Sequence, residues 1–310
     1  MSFPPNLSSR KRGTGKGVKM SEKILKLGIP KGSLQNATFE LFEKAGFHIT
    51  GYERSYFPQI DDNEIQLTML RAQEMSRYIE DGALDAGFTG YDWILENKSD
   101  VYEVCELLYS KSTANPAKWA LAVSNESAVK KPADLEGGIV ATELVGVTKE
   151  YFKNKKVNVK VEFSWGATEV KARLVDAIVE LTETGSSLQA NNLRIVDTIM
   201  SSTTRFIANK DAWKDKFKRE KIENISILLN AAIDAKTTVG LKMNVGKDCL
   251  DEVLKILPAE KSPTISSLAD KDFVAVEVVV DAKVERAIVP QLKRAGASGI
   301  ITYPLNKVIH

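Results

Sequence analysis

The 310-residue chain predicts an α/β protein of two lobes followed by a smaller ferredoxin-like domain. Three observations carry that prediction. Short apolar, β-branched runs alternate with amphipathic helical segments from Ile24 to Asp197, the pattern of mostly parallel sheets. The length suits about two domains and a sizeable core. From Thr237 the order becomes strand, helix, two strands, helix, strand, which is βαββαβ.

Taken in order, residues 1–20 hold five basic residues, no acidic one and no apolar stretch. They read as a disordered basic tail and not as a secretory signal, with Met20-Ser21 as a second plausible start. Ile24–Ile29 is a strand that turns through Pro30-Lys-Gly-Ser33 into a helix. The apolar face of that helix is Leu34, Ala37, Leu41, Phe42 and Ala45, with Ser33 as N-cap and Gly46 as C-cap. Ile65–Leu70 is a strand and Arg71–Ile79 a helix; Arg71 at a strand's C-terminal end lies where α/β sheets bind ligands. Ala83-Leu-Asp-Ala-Gly-Phe-Thr-Gly90 is a strand of small residues entering a cleft. Trp119–Val123 crosses into a second lobe with strands Ile139–Thr142 and Val157–Phe163, a loop Glu143–Gly146 and a helix Val147–Lys155. The chain returns through Thr204–Asn209, and Asp211–Ala235 reads as one long helix. The expected units are residues 21–117 with 206–236, residues 118–205, and residues 237–310.

Composition narrows the chemistry. Basic and acidic residues number 43 and 41, a balance that argues against nucleic acid or a membrane surface as the main partner. No apolar run approaches the ~18 residues of a spanning helix. Cys105 and Cys249 are far apart and lack a CxxC, as reduced cytosolic thiols would be. His48 and His310 are the only histidines, which argues against a Ser/His/Asp triad or a His-ligated metal site. Catalysis must rest on carboxylates, Arg, Lys, hydroxyls and backbone amides, an inventory suited to phosphate-rich substrates.

The stretch from Phe163 to Asp197 organises the rest. Asp176-Ala-Ile-Val-Glu-Leu181 is strand-like, Thr182-Glu-Thr-Gly-Ser-Ser187 is a polar loop, and Leu188–Leu193 reads as a short helix. Free amides, the hydroxyls of Thr184, Ser186 and Ser187 and the helix's positive end make an anion cup. Gly185 admits a phosphate without a Cβ in the way. On the residues alone, a plain αβ connection with ordinary caps stays open.

The string GATEV…VDAIVELTETGSSLQANNLRIVD resembles the phosphoribosyl-pyrophosphate loop of the ATP phosphoribosyltransferases, the family that opens histidine biosynthesis. Gly-x-x-Glu, Asp-Ala-Ile, Thr-Gly-x-Thr/Ser-Leu and Ala-Asn-x-Leu occur in order, with Ser187 where Thr is commoner. ILKLGIPKGSL is similar to the family's opening turn. LDEVLKILPAEKSPTI and LKRAGASGIITYPLNKVI resemble the C-terminal regulatory domain of its long form, although Ser267 stands where the family usually has Pro. GALDAGFTG with Tyr91-Asp is shared with that family and with bilobal solute-binding proteins. The resemblance spans roughly Ile24 to Ile309. It implies a catalytic core like a type II periplasmic binding protein and an ACT-like C-terminal domain.

It further implies transfer of a phosphoribosyl group to N1 of ATP with release of pyrophosphate, and feedback inhibition by histidine. Mg²⁺ is expected on the substrate phosphates with no dedicated cage, near Glu169 and Glu180. Arg71, Glu169 and Asp176 are the expected catalytic residues. Thr182, Glu183, Thr184, Gly185, Ser186, Ser187 and Leu188 would hold phosphoribosyl pyrophosphate. Lys31, Gly32, Arg54, Asp92, Lys118, Thr142 and Glu143 would meet ATP or pyrophosphate, and Asn244, Ser262, Thr264 and Ala297 would meet histidine. A cytoplasmic homo-oligomer, dimer or hexamer, without a separate regulatory subunit is implied.

Two other readings compete. A solute-binding protein would share the lobes but has no use for the Thr-Gly-Ser-Ser cup, and normally carries a secretion signal. An effector-binding regulator would need a DNA-reading helix-turn-helix. Ordinary phosphoribosyltransferases carry two adjacent acids ahead of their loop, and Asp61-Asp62 is not placed there.

Overall fold

The computed structural model describes residues 23–53, 55–109, 116–258 and 262–309; the basic tail and Arg54 lie outside them. The first lobe opens with β1 (Leu25–Lys31), α1 (Gln35–Ala45), β2 (Ile49–Thr50), β3 (Gln59–Ile60), β4 (Ile65–Arg71) and α2 (Ala72–Glu80). It continues through β5 (Ala86–Gly90), α3 (Tyr91–Asn97) and β6 (Tyr102–Leu107). The second lobe is β7 (Ala117–Ser124), β8 (Ile139–Thr142), α4 (Val145–Asn154), β9 (Lys160–Phe163), α5 (Thr168–Lys171), β10 (Ala177–Thr182), α6 (Ser186–Ala190) and β11 (Leu193–Ser202). The chain comes back as β12 (Thr204–Ala208), α7 (Lys210–Lys214) and α8 (Lys216–Asp234).

The first sheet runs β4-β1-β5-β12-β6, with β1 parallel to β4 and β5 and β12 antiparallel to β5 and β6. The second runs β11-β7-β10-β8-β9. Two connections therefore join the lobes, β6 to β7 and β11 to β12, and a cleft opens between the sheets.

Both faces of the first sheet are covered, which is why β1 is apolar nearly throughout. Phe42 of α1, Phe88, Phe206 and Ile222, Ile225 and Leu229 of α8 fill one side. Phe88 stacks on Phe206 at 4.5 Å and meets Phe42 edge-on at 5.6 Å, contacts that contribute roughly 0.5–1.5 kcal/mol each beyond area burial. Met75 and Ile79 of α2 close the other side. The small residues of β5 serve this packing: a Cβ on Gly87 would stand 2.9 Å from the Gly28 carbonyl oxygen and from the Met75 sulfur. In the second lobe Trp119, Leu121 and Val123 face one way and Ala120 and Ala122 the other, the period-2 alternation of a strand between two layers.

The C-terminal domain comprises β13 (Thr238–Gly246), α9 (Leu250–Ile256), β14 (Thr264–Ser267), β15 (Phe273–Asp281), α10 (Ala282–Arg294) and β16 (Ser298–Pro304). Its sheet is antiparallel in the order β14-β15-β13-β16, the βαββαβ arrangement expected. Among the described residues no helix is long and apolar enough to cross a membrane.

Several local expectations are corrected. Asp211–Ala235 is two helices, because Asp215 adopts an extended ψ and its carboxylate accepts the Lys218 N–H, capping a new helix. Ser33 is not the cap of α1; Leu34 holds that position without a side-chain bond. The helix after the polar loop starts at Ser186 and ends at Ala190, so Leu193 already belongs to β11. The second-lobe helix begins at Val145, two residues earlier than its apolar pattern suggests.

Candidate active site

The inter-lobe cleft has a volume of about 870 Å³. From the first lobe come Lys31 and Arg71, the last residues of β1 and β4, which pair in register, together with Glu74 and the buried Asp92. The parallel strands thus set the Lys31 and Arg71 backbones about 4.8 Å apart at the sheet's carboxyl edge, so that both side chains leave from the same place. Arg71 is in none of the ion pairs among the described residues. From the second lobe come Glu143, Glu180, Leu181, Thr182 and Glu183.

The acidic wall is strained electrostatically. Glu180 is mostly buried, and burial pushes its carboxyl up to about 7. The neighbouring charges of Glu169 and Glu143 raise it further, against hydrogen bonds from Thr168 and the Leu181 N–H that lower it. On the basic side, Lys31 lies 3.7 Å from the Tyr56 ring centroid. Its hydrogen bond and charge, with Arg71 behind, hold the Tyr56 phenol below the usual value.

Beyond β10 the polar loop has a defined shape. Thr182 Oγ1 accepts the Gly185 N–H at 2.7 Å, and Gly185 sits at φ +79°, a left-handed conformation that disfavours a side chain. The Thr184 and Ser186 hydroxyls are 2.9 Å apart. The Ser187 hydroxyl donates to Glu169 Oε1 at 2.6 Å, tying α6 to α5, while Leu188 is buried and anchors α6 in the lobe core. The first-turn amides of α6 lack intrahelical acceptors and face the loop. The Ser187–Glu169 bond and the charge of Glu169 on Glu180 link the cup to the strand end; Glu180, Thr182 and Glu183 line the cleft, whereas Glu169 and residues 184–188 do not.

Other expected site residues fall elsewhere. Asp176 precedes β10, at the end opposite the loop; Thr182 is six residues further along the chain, roughly 20 Å of strand away. Its carboxylate accepts the Ile139 N–H at 2.8 Å and aligns β8 with β10. A catalytic role for it is replaced by this one. Asp176→Ala should leave turnover unchanged and cost about 1–3 kcal/mol of stability, which steady-state kinetics beside urea unfolding would check. Asp92 lies at the cleft floor but is buried and committed: Trp119 Nε1 donates to it at 2.6 Å and the Trp93 N–H at 3.0 Å. Burial raises its carboxyl above the usual range. Thr142 is buried, its hydroxyl accepts the Leu144 N–H within the turn that leads into α4, and it does not line the cleft. Lys118 is exposed but does not line the cleft, whereas its neighbours Ala117 and Trp119 do. Gly32 lines it beside Lys31.

Sequence reasoning passed over Tyr56, Gln73, Trp93, Tyr109 and Thr203, all on the cleft wall. Tyr56 stands two residues from Arg54, and an aromatic beside flagged cations was the available signal. In the C-terminal domain Asn244 lies opposite Ser298 where β13 pairs with β16, and Ala297, the residue before Ser298, is buried in the domain core. Thr264 and Ser262 belong to the β14 edge, about 10 Å away across β15.

Known proteins resemble the chain over most of its length. The family model described as ATP phosphoribosyltransferase matches residues 71–231, and that of the HisG C-terminal domain matches residues 235–307. The ATP phosphoribosyltransferase of Chlorobaculum parvum is 56% identical over 290 residues, covering 93% of this chain and 99% of that protein. That of Thermodesulfovibrio yellowstonii is 56% identical over 291 residues, covering 94% and 100%. Among solved structures, a chain of the ATP phosphoribosyl transferase (HisG:HisZ) complex from Thermotoga maritima superposes with a TM-score of 0.57 at 27% identity, covering 67% of this chain and 99% of that one. With both domains matched in order and full-length relatives more than half identical, the chain belongs to the ATP phosphoribosyltransferase family, the pentosyltransferases of histidine biosynthesis.

Proposed function

We propose that this enzyme joins C1 of phosphoribosyl pyrophosphate to N1 of ATP and releases pyrophosphate, and that histidine restrains it through the C-terminal domain. The observation that carries the reading is the opposition of Lys31 and Arg71 to the Glu180–Glu183 strand end across one cleft. The N1 lone pair forms the new N–C bond while the C1–O bond breaks, its electron pair leaving on pyrophosphate. No base is needed, since N1 carries no proton to remove. The task is electrostatic: Arg71 and Lys31 take up the charge that builds on the leaving group. The Thr184, Ser186 and Ser187 hydroxyls and the loop amides hold the 5-phosphate, and Glu180 and Glu183 face the ribose hydroxyls.

Among the described residues no three His, Cys, Asp or Glu side chains are placed to hold a metal ion on their own. The mutual repulsion of Glu169 and Glu180 fits a pair facing a cation that arrives on pyrophosphate. When bound there, Mg²⁺ supplies charge neutralisation on the phosphate oxygens. The Thermotoga maritima relative is described in a complex with HisZ; this chain carries a C-terminal domain of its own, in which Asn244 and Ala297 are the best-grouped candidates for histidine.

Pyrophosphate release from purified protein should require ATP, phosphoribosyl pyrophosphate and Mg²⁺ together, and histidine should suppress it. Release indifferent to histidine would reduce the C-terminal domain to assembly. Absence of release with all three present would remove the proposed reaction.

A further inference from the structure

Helix α3 belongs to the first lobe by connectivity, yet one of its faces is spent on the second. Asp92 and Glu96 lie one turn apart on that face. Asp92 receives the Trp119 indole at 2.6 Å. Glu96 Oε1 accepts the Gly146 N–H at 2.7 Å and Oε2 accepts the Val147 N–H at 2.9 Å. Those two amides are first-turn donors of α4, which have no acceptor inside their own helix. A carboxylate at a helix N-terminus is favoured both by the hydrogen bonds and by the helix's positive end. Gly146 makes room for it, since a Cβ there would stand 3.1 Å from Glu96 Oε2.

Trp93 adds an edge-to-face contact with Trp119 at 6.0 Å. Asp92 touches the second lobe next to the connecting strands, where a single bond would let the lobes pivot. Glu96, a turn further from the cleft, adds a second point of attachment, and two points fix an angle that one does not.

We infer that Glu96 is a positioning residue for the transfer reaction, clamping α4 so that Arg71 and Lys31 are held at the distance from the Thr182–Ser187 loop that the reacting substrate needs. It touches no substrate itself, as it does not line the cleft. The inference rests on the reaction proposed above, and one of its tests does not. Phosphoribosyl pyrophosphate would meet the loop of the second lobe, which Glu96 leaves intact, whereas the approach of the two walls is needed only as the bond to ATP forms. Release of the clamp therefore acts on kcat more than on the KM for phosphoribosyl pyrophosphate.

The experiment uses the full chain with Glu96→Ala and Glu96→Gln; Gln keeps the volume and one acceptor. Glu96→Ala should lower kcat about 10- to 100-fold, the range for a misplaced but intact site, with KM for phosphoribosyl pyrophosphate within about threefold and Glu96→Gln intermediate. Hydrogen exchange of the peptide covering residues 144–150 should quicken in Glu96→Ala whether or not the protein turns over. If Glu96→Ala does not fold, Glu96→Gln carries both readouts. A kcat within twofold of the parent, a loss confined to KM, or unchanged exchange at residues 144–150 would overturn the inference. An inactive parent with the exchange difference present would count against the reaction and leave the clamp standing.

Discussion

Replacing Arg71 with Ala should lower kcat/KM by roughly 10²- to 10³-fold, about 3–4 kcal/mol of transition-state stabilisation. The argument is positional. Arg71 ends β4 in register with Lys31, so the sheet delivers two adjacent cations to the wall facing the phosphate loop. Arg71 is in none of the ion pairs among the described residues, which leaves its charge for a leaving pyrophosphate. Lys31 is partly engaged by Tyr56, so Lys31→Ala should cost less than Arg71→Ala. Arg71→Lys should recover only part of the loss, because an ammonium cannot reproduce the guanidinium fork. Steady-state pyrophosphate release is the measurement. Near-normal turnover in Arg71→Ala combined with Thr184→Ala would sink the assignment of both walls.

Glu180→Gln is expected to stabilise the protein in a pH-dependent way while impairing it. The folded carboxyl titrates at about 7 against an ordinary 4.5. Between those values the folded chain holds a proton that the unfolded chain has released, so this group's contribution is present below pH ~4.5. It is lost as pH rises through about 7. Gln has no such titration. The two proteins should therefore have similar stability near pH 4.5 and diverge through neutrality. Above pH 7 the variant should be ahead by up to about 3 kcal/mol, less whatever residual solvent screens. Turnover of the parent should rise through the same window as Glu180 ionises, and the variant should show neither the rise nor the parent's rate. Urea midpoints from pH 5 to 8 test the stability half; parallel curves would mean that burial does not hold the proton on Glu180. Stability given up at a site that needs a charge is the usual compromise of active sites.

The loop was legible because its chemistry is local. Thr182, Thr184, Gly185, Ser186 and Ser187 are consecutive or nearly so, and their hydroxyls, amides and left-handed glycine meet wherever the strand ends. Asp176 misled for the same reason. Proximity in sequence does not say at which end of a strand a residue emerges, and six residues of β10 carry it to the opposite edge. Strand β6 and the length of β11 were missed because YEVCEL and LRIVDTIMSS mix polar residues among apolar ones, as befits strands at the edges of their sheets. Glu96 looked like any solvated helix charge. Nothing near it in sequence marks α4, 50 residues on, as its partner.

The sequence alone determined most of the order of elements, the alternation of strands and helices, the βαββαβ domain and the phosphate loop, since periodicity, turn residues and short motifs act within a few residues. Only the tertiary structure decided which side chains face one another. It set Lys31 beside Arg71, pressed Glu180 against Glu169 and Glu143, committed Asp92 to Trp119, and seated Glu96 on α4. Each of these depends on sheet register and on the angle between the lobes, and both come from the packing of segments far apart in the chain.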